Sequence, residues 1–101
     1  MKILICICTY NRNKSLVECL RYFNKIRIPF NMNIKFLIND NSINSGSLNL
    51  IKNFKKKFKY TIYQTSEKKR GIVYARNQCL KISKNINCDY IAFFDDDCIV
   101  D

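Results

Sequence analysis

An α/β fold built on a parallel sheet, in the order βαβαβαβ, is the architecture this sequence predicts. Three observations point to it. Short apolar runs alternate with helical stripes along the whole chain, and such alternation implies parallel strands joined by right-handed crossovers. The first run, ILICIC at residues 3–8, is apolar at every position, which suits a strand buried on both faces. Gly and Pro number only 2 and 1 in 101 residues, so no flexible linker divides what is one domain's length.

Each element follows from its own residues. After the first strand, Thr9, Tyr10, Asn11, Arg12 and Asn13 form a polar loop. Ser15 with Glu18 has capping-box spacing, and Leu16, Leu20 and Phe23 continue as a helical stripe that fades before Pro29. IKFLI, residues 34–38, is a second strand, followed by a loop of Asn39, Asp40, Asn41 and Ser42. Leu48, Ile51, Phe54 and Phe58 mark a second helix, with lysines around the rest of it. KYTIYQT, residues 59–65, alternates like a short strand. Residues 71–86 form a third helix, with Ile72, Ala75, Cys79 and Ile82 on one face. YIAFF, residues 90–94, is a fourth strand running into Asp95.

Composition narrows the function classes. The net charge is +10, compatible with nucleic acid, an anionic membrane surface or an anionic small ligand. The lysines concentrate in residues 52–59, which read as a solvated helix face. Six cysteines without a C-x-x-C pair, and no histidine, argue against a zinc site. They point instead to reduced thiols and a cytoplasmic setting. No apolar run approaches a membrane span.

In a parallel sheet, ligands bind beyond the carboxyl ends of the strands. Three strand ends here carry polar residues: Thr9 to Arg12, Asn39 to Asn41, and the triplet Asp95, Asp96, Asp97. Adjacent carboxylates repel, and each raises the others' pKa. A hard divalent cation removes the conflict, and Mg²⁺ or Mn²⁺ binds through one or two carboxylates plus substrate phosphates. In an extended segment Asp95 and Asp97 project to one side and Asp96 to the other. Tyr10 suits either a nucleobase platform or a half-buried loop aromatic. Asp40 suits either a bond to a base N–H or an Asx-turn. Arg12, Arg70 and Arg76 are candidates for a diphosphate, with a surface salt bridge as the alternative for Arg76. A P-loop ATPase is excluded, because no G-x-x-x-x-G-K-[ST] occurs. A receiver-type domain lacks its acidic pair, since Thr9 and Tyr10 follow the first strand.

The ordered set ICICTYNRNKSLVECL, FLINDNS, GIVYARNQCLK and YIAFFDDDCIVD resembles family 2 glycosyltransferases of the GT-A fold. The resemblance covers nearly the whole chain. It implies a Rossmann-like nucleotide-binding half that holds a nucleotide sugar through Mn²⁺ or Mg²⁺. Carried over by position, Tyr10 stacks on the base and Asp40 bonds it. Asp96 and Asp97 serve the ribose and the metal, Asp95 assists, and Thr9, Arg12 and Arg76 complete the donor contacts. Asn39 departs from members with two acids in the second loop. The family's catalytic domain continues past Asp101, so the general base of an inverting displacement, and the site for a glycan or lipid-linked acceptor, are expected beyond it. The basic charge is compatible with peripheral association at the inner face of the membrane, while the acidic triplet, which would repel a phosphate backbone, argues against a nucleic-acid partner. The rival expectations are a basic nucleic-acid-binding module and an inactive truncated remnant.

Overall fold

The computed structural model describes residues 1–29, 31–42 and 46–96. Four strands alternate with three helices: β1 (Lys2–Thr9), α1 (Asn13–Lys25), β2 (Asn33–Asp40), α2 (Ser47–Phe54), β3 (Thr61–Ser66), α3 (Ile72–Ser83) and β4 (Tyr90–Asp95). All pairs are parallel and the sheet order is β3-β2-β1-β4. This is the α/β, Rossmann-like arrangement expected.

Alternation along the strands sorts the core into two layers. Ile5, Ile7, Phe36, Ile38 and Ile62 pack with Leu16, Leu20 and Phe23 of α1 and Ile51 of α2. Leu4, Cys6 and Leu37 pack on the other face with Cys79 of α3 and with Ile86. Phe36 anchors the first layer, with edge-on ring contacts to Phe23 at 5.1 Å and Phe58 at 4.9 Å. Helices on both faces explain why β1 and β2 read as continuous apolar runs.

Several boundaries differ from expectation. Thr9, Asn39 and Asp40 belong to strands rather than loops, because the β1–β2 ladder extends to the pair Thr9 and Asp40. β3 begins two residues late and ends on Ser66. The Ser15 capping box does not form: α1 begins at Asn13, with Arg12 as its N-cap and no side-chain cap. Asn11, at φ 52°, turns the chain sharply enough to start the helix early. Phe58 lies past the end of α2, after a turn at residues 55–57, yet stays buried. Ile86 lies past α3, brought into the core by a turn in which its N–H donates to the Ser83 carbonyl at 3.0 Å.

One feature of this topology positions the site. α1 and α2 carry the chain outward on one side of β1, and α3 returns it to the other side as β4. The direction of winding therefore reverses between β1 and β4. A parallel sheet opens a crevice at such a reversal, at the carboxyl ends of the strands.

Candidate functional site

A cavity of about 350 Å³ lies at that crevice, lined by Cys8, Thr9, Tyr10, Arg12, Asn41, Ile72, Ala75, Asp95 and Asp96. Strand register brings its walls together. Cys8 sits beside Asn39 on one side and Asp95 on the other, and Thr9 sits beside Asp40. Five residues singled out from sequence, Thr9, Tyr10, Arg12, Asp95 and Asp96, share this cavity.

Asp96 is 2% exposed and faces the α1 side. The Thr9 hydroxyl donates to its Oδ2 at 2.9 Å, and Arg12 Nη1 donates to its Oδ1 at 3.3 Å. The Arg12 side chain remains 58% exposed. A buried carboxylate thus holds an arginine that still reaches solvent at the cavity mouth. Asp95, one residue earlier, is exposed and takes no hydrogen bond or ion pair among the described residues. Asp95 is thus open to solvent while Asp96 is buried, and both line the cavity. Asp97, the other expected metal ligand, lies outside the described residues, as does Cys98.

Asp40 is not in the cavity wall. It is 1% exposed, and its carboxylate is saturated by the fold. The backbone N–H and hydroxyl of Ser42 donate to Oδ1. The N–H and hydroxyl of Ser47 donate to Oδ2 at 2.9 and 2.6 Å. Ser47 is the first residue of α2, whose own N-cap, Gly46, offers no side chain. Asp40 therefore caps α2 from the neighbouring strand, where a negative charge also meets the positive end of the helix dipole. Burial pushes its pKa up, but the hydrogen bonds from Ser42 and Ser47 outweigh this and hold the carboxyl below its usual range.

Arg76 lies outside the cavity wall, with its guanidinium 5.6 Å from the Phe93 ring centroid rather than in a salt bridge. Arg70 covers the Tyr10 ring at 4.8 Å.

Asn41 is the residue sequence reasoning undervalued. Its Nδ2 donates to the carbonyls of Glu67 (2.6 Å) and Lys69 (2.9 Å), and its Oδ1 accepts from the Gly71 N–H at 3.1 Å. Its own N–H donates to the Thr9 carbonyl at 2.8 Å. Through its backbone and side chain together, this one residue ties the end of β1 to the connection entering α3. That connection passes through Gly71 at φ 134°, a backbone geometry suited to glycine. The only available signal was an Asn following a strand, a weak one. Asn41→Ala is expected to cost about 2 kcal/mol by leaving buried backbone groups unpaired, measurable by urea denaturation.

The cavity floor is chemically quiet. Cys8 and Cys79 approach at 3.9 Å between sulfurs. Their hydrogen bond and burial push the Cys8 thiol up, and a hydrogen bond with Cys6 together with burial pushes Cys79 up to about 12. Among the described residues Cys6, Cys8, Cys79 and Cys88 are free thiols, and no group of three or more acidic, Cys or His side chains gathers for a metal.

Asp95 offers the cavity an unengaged carboxylate, the kind of oxygen donor that Mg²⁺ or Mn²⁺ takes together with substrate phosphates.

Solved structures with this fold include residues 1–349 of S. aureus TarS, with a TM-score of 0.76 and 21% identity over 96% of this chain. A longer S. aureus TarS structure gives 0.71 and 22%, and the complex of TarS 1–349 with UDP-GlcNAc gives 0.67 and 23%, each over 96% of this chain. The chain spans 28%, 17% and 27% of those three chains. No curated protein matches it. The sequence profile of glycosyl transferase family 2 matches residues 4–101, all but the first three residues of the chain, and the chain belongs to that family.

Proposed function

We propose that this chain forms the donor-binding half of a metal-assisted glycosyltransferase, which moves a sugar from a nucleotide diphosphate to a glycan or lipid-linked acceptor with inversion. The observation that carries the reading is the meeting of Thr9, Tyr10, Arg12, Asp95 and Asp96 in one cavity at the sheet's reversal point.

The residues divide the work. Tyr10 offers a ring face to the base, a contact of about 1–3 kcal/mol. Arg12, braced by Asp96, faces the diphosphate, with Arg76 further along α3. Asp95, together with Asp97, holds Mn²⁺ or Mg²⁺. When bound, the metal stabilises charge on the departing diphosphate. The general base lies outside this set. Free cysteines support a reducing, cytoplasmic setting.

Since S. aureus TarS has been crystallised with UDP-GlcNAc, a UDP-sugar is the first donor to test. A thermal-shift screen of UDP-, GDP- and dTDP-sugars, with and without Mn²⁺, is expected to show a metal-dependent rise with one nucleotide. Asp95→Ala should abolish the metal dependence. No shift with any donor would refute the reading.

A further inference from the structure

The outer face of the α1–α2 layer carries a basic surface that the cavity does not use. On α1, Lys14, Arg21 and Lys25 follow the spacing i, i+7, i+11. This aligns them along the side opposite the buried stripe of Leu16, Cys19, Leu20 and Phe23. On α2 and its following turn, Lys52, Lys55 and Lys56 are all exposed, while Ile51 is buried beneath. The two helices share one sheet face and meet along a groove lined by Val17, Arg21, Leu50 and Phe54.

The layer is tied into one piece. Asn24 of α1 donates to the Lys57 carbonyl at 3.3 Å and accepts from the Lys59 N–H at 3.0 Å. Lys59 Nζ reaches the Ile26 carbonyl at 3.0 Å. The lysine run that reads in sequence as a solvated helix face is thus one half of a two-helix basic surface.

Few acids interrupt this surface. Glu18 is the one acid on the exposed α1 stripe, and no carboxylate pairs with these cations among the described residues. The other exposed acids among the described residues, Asp89 and Asp95, sit on or beside β4. The surface is dominated by lysine, a hydrated point charge suited to diffuse attraction rather than forked recognition. Its aromatic neighbours Tyr22 and Phe54 are half-buried and offer no open ring for base stacking. These features fit a broad anionic plane better than a nucleic-acid strand.

We propose that the α1–α2 face docks on an anionic lipid bilayer. This inference does not depend on the donor chemistry.

The test is co-sedimentation of the chain with vesicles of phosphatidylglycerol and phosphatidylcholine, compared with phosphatidylcholine alone. Salt-sensitive binding to the anionic vesicles only is expected. The triple variant Lys52→Glu, Lys55→Glu, Lys56→Glu should weaken it about a hundredfold, at about fivefold for each lysine. The control pair Lys81→Glu, Lys84→Glu, at the end of α3 and its C-cap, should weaken it far less. All of these positions are exposed, and unchanged thermal melting will verify folding. Equal loss in both variants, binding to neutral vesicles, or preference for an RNA oligonucleotide over the anionic vesicles would overturn the proposal.

Discussion

Replacing Asp40 with Ala is expected to destabilise the fold by about 3–5 kcal/mol, the scale of several charge-assisted hydrogen bonds lost together. Four donors from Ser42 and Ser47 converge on this carboxylate, and the first turn of α2 depends on it. The change should appear in urea denaturation. The pH dependence has a definite sign. The folded-state pKa lies below the unfolded value, so the contribution is fully present above the unfolded pKa and is lost as pH falls through the folded one. Melting temperature should therefore drop on acidification in the wild type, and less steeply in Asp40→Asn. That variant turns an amide nitrogen toward donors and should lose most of the stability as well. If Asp40→Asn kept wild-type stability but lost nucleotide binding, a direct base contact would replace the capping role.

The second large effect is expected at Asp96. Asp96→Ala removes the acceptor for the Thr9 hydroxyl and the brace for Arg12, so donor affinity should fall at least about tenfold and stability by about 1–3 kcal/mol. Arg12→Ala should reproduce the affinity loss with little change in stability, because its side chain is mostly exposed. Titration calorimetry with the nucleoside diphosphate selected by the screen, alongside urea denaturation, separates the two. Equal stability losses in both variants would show that the ion pair is structural and does not orient an arginine toward the ligand.

Much of the fold was legible because burial on both faces leaves a plain mark: ILICIC and KFLI have no other comfortable place than a covered parallel sheet. Local signals were less secure. Ser15 and Glu18 satisfied a spacing rule, but the turn at Asn11 started α1 two residues before Ser15. In the site, Thr9, Tyr10, Arg12, Asp95 and Asp96 were readable because strand ends must converge. What Asp40 does was not, because one of its partners, Ser47, opens the next helix and lies seven residues away. Asn41 was passed over for a similar reason: its partners, Glu67, Lys69 and Gly71, lie 26 to 30 residues away.

Among the described residues β4 pairs with β1 alone, whereas β1 is paired on both sides. The crevice therefore joins a stiff wall carrying Thr9 to a looser one carrying Asp95. Local opening is cheapest where a ladder is single, so the acidic wall is the part a ligand has to order. Whatever bridges the two walls spends binding energy on β4 and almost none on β1. Affinity at this site is thus coupled to how firmly one outer strand is held.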